Sequence, residues 1–144
     1  MVYAVDGVSG KVFWKYDPRS RERMADQPHR LKIAWGTHRG VAFWMGKVYV
    51  GTTDGRLVAL SARNGRELWS VQTFDPKENR YITGAPRVFN GKVLIGHGGA
   101  DVGPIRGYVT AYSADTGQQL WRFHTVPGNP ADGFENDAMK MAAC

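Results

Sequence analysis

A chain of 144 residues can bury one core, and 42% hydrophobic with 22% charged residues excludes the disordered and fibrous classes. Its 18 glycines and 12% aromatics point to turns and strands and away from helical bundles, and no apolar run is long enough to span a bilayer. The lone cysteine, Cys144, excludes an intrachain disulfide or a cysteine metal cluster.

Met1-Val2-Tyr3-Ala4 shows no basic segment followed by an apolar one, so no signal peptide is visible. The first predicted element is a strand, turn and strand over Ala4-Val5-Asp6-Gly7-Val8-Ser9-Gly10-Lys11-Val12-Phe13-Trp14. After it the net charge of +6 concentrates. Lys15, Arg19, Arg21, Arg23, Arg30 and Lys32 outweigh Asp17, Glu22 and Asp26. Without interleaved aromatics the cluster reads as a solvated loop, and no nucleic-acid partner is expected.

The first element returns twice without gaps, from Ala59 to Trp69 and from Ala111 to Trp121. In each copy Gly stands six residues after Ala and Trp four after Gly. A second repeat fills the intervals at an offset of 45 residues. Phe43-Trp44-Met45-Gly46-Lys47-Val48-Tyr49-Val50-Gly51 matches Val88-Phe89-Asn90-Gly91-Lys92-Val93-Leu94-Ile95-Gly96, and Asn90-Gly91 is a strong hairpin signal. Together they give four short antiparallel strands, A to D, in about 50 residues, the pattern of a β-propeller blade.

The predicted fold class is therefore all-β, built of β-propeller blades. A half blade covers 1–17, full blades cover 38–74 and 83–126, and 127–144 starts the next segment. Two and a half blades cannot close a propeller, so the chain is expected to be part of a longer protein. Only Phe134 to Ala143 is expected to begin a helix. Trp14, Trp69 and Trp121, fixed at the end of strand D, are expected to pack between blades and not to stack on a ligand.

Up-and-down topology puts the D–A and B–C loops on one face, around the axis that strand A lines. Gly51 to Ala59 spans 8 residues but Gly96 to Ala111 spans 15, so the second full blade carries a seven-residue insertion in its B–C loop. That loop, His97-Gly98-Gly99-Ala100-Asp101-Val102-Gly103-Pro104-Ile105-Arg106-Gly107, is rich in glycine, which lets backbone amides approach a flat or anionic ligand. Arg39 and Thr83 occupy neighbouring registers in the D–A loops of the same face. The set suits a planar polyanionic cofactor with a bound cation. No metal-ligand spacing appears among His29, His38, His97 and His124.

Specific segments carry a family resemblance. Arg39-Gly40-Val41-Ala42-Phe43-Trp44 with Lys47 through Leu57, Ile82-Thr83-Gly84-Ala85-Pro86, Gly98-Gly99-Ala100-Asp101 with Arg106-Gly107, and Phe134-Glu135-Asn136 with Ala138-Met139 resemble the quinoprotein alcohol dehydrogenases. These use pyrroloquinoline quinone (PQQ). The resemblance implies an eight-bladed propeller with PQQ on its axis and makes the Ala-Gly-Trp unit a tryptophan-docking motif. It implies that Arg39 contacts the quinone oxygens as the catalytic side chain and that Thr83 hydrogen-bonds a PQQ carboxylate. Gly98, Gly99 and Ala100 would line the cofactor, and Asp101, where relatives have glutamate, would ligate Ca2+. Ile33 and Ala34 stand where the family commonly has adjacent cysteines. The implied reaction oxidises an alcohol, polyol or aldehyde by hydride transfer to the quinone, with electrons leaving to a cytochrome c or quinone acceptor in the periplasm. Membrane association is left open for the full protein. The Asn metal ligand and Asp base of the family lie beyond this chain, which is expected to be inactive alone. The competing expectation is a PQQ-like-repeat propeller scaffold for protein–protein interaction without cofactor. Arg39, Thr83 and the insertion favour the enzyme, because a scaffold has no need of them together. A WD40-type interaction propeller is more distant, since its Gly-His and Trp-Asp punctuation is missing.

Overall fold

The structure is a computed structural model and describes residues 1–25, 38–101 and 103–143. His29, Arg30, Lys32, Ile33, Ala34 and Cys144 therefore lie outside the described residues, as does Val102. Among the described residues, three antiparallel sheets follow one another along the chain. The first pairs β1 (Val2–Val5) with β2 (Val12–Tyr16). The second runs β3 (Ala42–Trp44), β4 (Lys47–Gly51), β5 (Arg56–Ser61) and β6 (Glu67–Gln72). The third runs β7 (Arg87–Phe89), β8 (Lys92–Gly96), β9 (Tyr108–Ser113) and β10 (Gln119–His124). Strand order equals chain order in both four-stranded sheets, the meander of a propeller blade.

Strand β5 shows why the sequence stacks sheets. It is buried from Arg56 to Leu60 with no alternation, because both of its faces are covered. Val58 and Leu60 pack with Val50 toward Val2, Trp14 and Tyr16 of the first sheet. Leu57 and Ala59 pack with Tyr49 toward Ile82, Val93, Ile95 and Tyr112 on the other side. Leu57 and Leu60 are fully buried, each removing apolar surface worth about 1.5–3 kcal/mol from water. By contrast, β10 keeps Leu120, Trp121 and Phe123 exposed.

The recurring tryptophans lock neighbouring sheets together. Trp14 Nε1 donates to the Ala62 carbonyl at 2.9 Å, and Trp69 Nε1 donates to the Ala114 carbonyl at 3.3 Å. Each indole lies over the glycine of the next copy: a Cβ on Gly65 would sit 2.6 Å from Trp14 Cε3, and one on Gly117 2.8 Å from Trp69 Cε3. The motif glycine thus has two duties, a positive φ and a bare face for the docking ring.

The A–B turns use positive φ at both central residues, as a two-residue hairpin requires: Asn90 (45°) with Gly91 (70°), and Met45 (43°) with Gly46 (76°). A single helical turn, α1 (Ser20–Arg23), follows β2. Helix α2 (Asp137–Ala142) begins where Asn136 accepts from the Met139 amide at 2.9 Å, within the segment expected to be helical. In the basic cluster, Lys15, Arg19 and Arg23 are exposed. No helix among the described residues is long and apolar enough to cross a membrane.

Candidate functional site

Strand ends place the site. Gly51 at the end of β4 pairs with Leu57, whereas Gly96 at the end of β8 pairs with Val109, so the loop after β8 is longer by seven residues. Beside it, the chain entering β3 runs against the chain entering β7. The Arg39 amide donates to the Thr83 carbonyl at 2.8 Å, and Arg39 Nη1 donates to Thr83 Oγ1 at 2.5 Å. A cleft of about 760 Å³ opens here, lined by Arg39, Tyr81, Thr83, Arg87, His97, Gly98 and Asp101, with Leu94, Ile95 and Val109 supplying apolar wall.

Four of the six residues singled out in the sequence meet in this cleft: Arg39, Thr83, Gly98 and Asp101. Gly99 and Ala100 are not among its lining, Gly99 being buried and Ala100 exposed. The glycines are explained by packing on the preceding loop. A Cβ on Gly98 would strike the Tyr81 ring at 2.5 Å, and one on Gly99 (φ 124°) would strike the Asn79 carbonyl. A bridge between Tyr81 and Gly98 holds the two loops together, with the Gly98 amide donating to the Tyr81 carbonyl at 2.8 Å.

Asp101 is exposed, and Tyr81 was not foreseen as its partner. The phenol donates to both carboxylate oxygens at 3.3 Å, and the Gly99 amide donates to Oδ1 at 3.2 Å. Burial, and then the Asp101 charge, push the Tyr81 phenol above its ordinary value, so it stays a neutral donor. Its place two residues before Thr83, on the same side of an extended segment, was the available signal. Arg87 is a second guanidinium in the cleft that the sequence reading did not single out. His97 stays neutral because burial lowers its pKa. Its ring meets Tyr108 edge-on at 4.3 Å. Near the end of the loop, Arg106 pairs with Glu135 at 2.6 Å and holds that carboxyl down to about 2.

Two guanidinium groups, a hydroxyl and an apolar wall suit a flat ligand bearing carboxylates and carbonyl oxygens. The Asp101 carboxylate is a hard oxygen donor of the kind calcium takes, but calcium needs 6–8 oxygens. Among the described residues no group of three or more His, Cys, Asp or Glu could hold a metal ion.

Residues 1–143 match the family described as PQQ glucose/ethanol/alcohol dehydrogenase, β-propeller domain. The chain belongs to this family. It is 53% identical over 142 residues to the quinohemoprotein alcohol dehydrogenase ADH IIB of Pseudomonas putida, covering 99% of this chain and 20% of that protein. Among solved structures, quinohemoprotein alcohol dehydrogenase ADHIIG from Pseudomonas putida matches with a TM-score of 0.85 and 51% identity over 98% of this chain and 20% of that one. A europium-containing methanol dehydrogenase matches with a TM-score of 0.73 and 33% identity over 90% and 22%. The chain thus spans about a fifth of the length of the curated relatives it matches. The sheets belong to a PQQ dehydrogenase β-propeller, and the all-β expectation holds.

Proposed function

We propose that this chain is a section of a PQQ-dependent dehydrogenase that oxidises an alcohol, or a related polyol or aldehyde. Residues Arg39, Thr83, Gly98 and Asp101 would form part of its cofactor site. The observation that carries the reading is their convergence, with Arg87, in one cleft of a chain from this family. PQQ, when bound, supplies an electrophilic carbonyl carbon that accepts hydride from the alcohol carbon.

The side chains do the rest. Arg39, fixed by its bond to Thr83, presents a preorganised cation where negative charge develops on the ligand's oxygens. The Thr83 hydroxyl, accepting from Arg39, keeps its own proton to donate to a carboxylate. Asp101, oriented by Tyr81 and Gly99, offers oxygens to Ca2+, which would polarise the same region. Gly98 contributes the backbone edge of the site. The base that takes the alcohol proton and the other metal ligands are assigned to blades outside this chain. On the same reading the protein works in the periplasm and passes electrons to a cytochrome c or a quinone, and these 144 residues alone turn over nothing.

The test uses the full-length protein stripped of cofactor and reloaded with PQQ and Ca2+. Alcohol-dependent reduction of an artificial electron acceptor is expected with PQQ and Ca2+ and absent without either. Arg39→Ala is expected to lower turnover by about a hundredfold or more, the scale of losing one oxyanion donor. Wild-type protein that takes up PQQ yet oxidises no alcohol would refute the proposal.

A further inference from the structure

We infer that Arg80, together with His97, is a positioning residue that clasps both feet of the loop between β8 and β9 and so fixes Gly98 and Asp101 in the cleft. Arg80 is only 8% exposed, unusual for a cation in the polar stretch Lys77-Glu78-Asn79-Arg80. Its Nε donates to Glu78 Oε2 at 2.8 Å. Its Nη1 donates to His97 Nε2 at 2.5 Å and to the Arg106 carbonyl at 2.8 Å. His97 is the first residue after β8, and Arg106 stands two before β9. A single guanidinium nitrogen therefore joins the start of the loop to its end.

One tautomer satisfies these contacts. With the proton on Nδ1, 3.1 Å from the Gly98 carbonyl, Nε2 is the acceptor for Arg80, whose Nη1 also lies 3.3 Å from Nδ1. Phe74 and Tyr108 close around the ring edge-on, with centroids at 6.3 and 4.3 Å. The Arg80 guanidinium also lies 4.8 Å from the Tyr108 ring centre. Adjacent in the chain, Tyr81 and Gly98 form the bridge that carries the loop toward Asp101. Lysine cannot replace this fork, because an ammonium group lacks the planar geometry that reaches Glu78, His97 and the Arg106 carbonyl at once.

The inference rests on the proposed cofactor site, and its test keeps the two separable. In the full-length protein without cofactor, amide hydrogen exchange is followed at residues 98–101, and PQQ binding is then titrated by cofactor absorbance. Arg80→Gln and His97→Leu are each expected to speed exchange at 98–101 and to weaken PQQ binding by about tenfold or more, as losses of supporting contacts do. His97→Gln, which returns an acceptor, is expected to recover most of both effects. Should Arg80→Gln fail to fold, His97→Leu carries the test. Exchange at 98–101 unchanged in His97→Leu, or quickened equally throughout β8 and β9, would overturn the clasp. Failure of the wild type to take up PQQ would overturn the cofactor reading alone. Wild-type uptake with undiminished affinity in both variants would overturn the positioning role.

Discussion

Replacing Gly65 by alanine separates the two duties of the motif glycine. Gly65 has φ 71° and Gly91, in an A–B turn, has φ 70°, so Gly65→Ala and Gly91→Ala incur the same backbone strain, about 1–2 kcal/mol. Their surroundings differ. A Cβ on Gly91 meets nothing within 4 Å, but one on Gly65 stands 2.6 Å from Trp14 Cε3 and 2.7 Å from Cδ2. To restore ordinary contact the indole must retreat by nearly 1 Å, which lengthens its 2.9 Å bond to the Ala62 carbonyl past hydrogen-bond range. Overpacking of this kind costs about 1–3 kcal/mol and the lost bond about 1 kcal/mol. Gly65→Ala should therefore be the more damaging by about 2–4 kcal/mol, read from urea unfolding of each variant. In a Trp14→Ala background the excess should vanish, because the clash has lost its partner. Equal losses in the two glycine variants, or an excess that survives removal of Trp14, would refute docking as the reason for the glycine.

Three further outcomes follow from the same contacts. Asp54 and Arg56 are each 6% exposed and paired at 2.7 Å, so Asp54→Ala leaves a buried guanidinium uncompensated and should cost about 3–5 kcal/mol in urea unfolding. His97 and His124, both half-buried, are held below the ordinary histidine value, in each case first by burial. The unfolded chain then binds protons that the folded one refuses, so stability should be full above about pH 7 and decline as pH falls below about 6.5. The slope of unfolding midpoint against pH should be reduced in His97→Gln. Asp101→Asn removes charge from the carboxylate position while leaving Gly99 an acceptor, and calcium affinity measured by calorimetry should fall at least about tenfold.

The fold was largely legible because the repeat is a geometric statement. Six residues from Ala to Gly and four to Trp describe a strand, a left-handed turn position and a ring aimed at the next sheet, and Trp14 and Trp69 do that in turn at Gly65 and Gly117. The hairpin at Met45-Gly46 could be read only through its match to Asn90-Gly91, since methionine has no local preference for φ 43°. Arg39 beside Thr83 followed from the 45-residue offset. The glycines after β8 were harder. Composition says that a side chain is missing, not which surface fills the gap, and Tyr81 and Asn79 fill it at Gly98 and Gly99. Arg80 was not legible at all, because its burial depends on His97 and Arg106, contacts made only once the loop has folded back.

The two loops that follow strand B meet one physical problem with opposite assignments. Where the second sheet turns from β4 to β5, the arginine stands directly after that turn, as the first residue of β5: Arg56 bonds Asp54 and the Pro18 carbonyl, while Ser20 donates to Asp54 at 3.0 Å. Where the third sheet turns from β8 to β9, the arginine belongs to the opposing connection: Arg80 reaches across to His97 and the Arg106 carbonyl. In both, a buried guanidinium bonds a backbone carbonyl across the junction between the D–A and B–C loops. Short turns close on themselves, but a loop seven residues longer cannot, so the fixing charge comes from outside it. That transfer frees Asp101, at the loop's far side, from any structural ion pair among the described residues. Among the described residues its hydrogen-bond donors are a neutral phenol and a backbone amide, so no cationic side chain occupies the carboxylate. The longer loop thus gains an exposed, oriented anion beside the fixed cation of Arg39, the division of charge that a quinone and a metal ion would need.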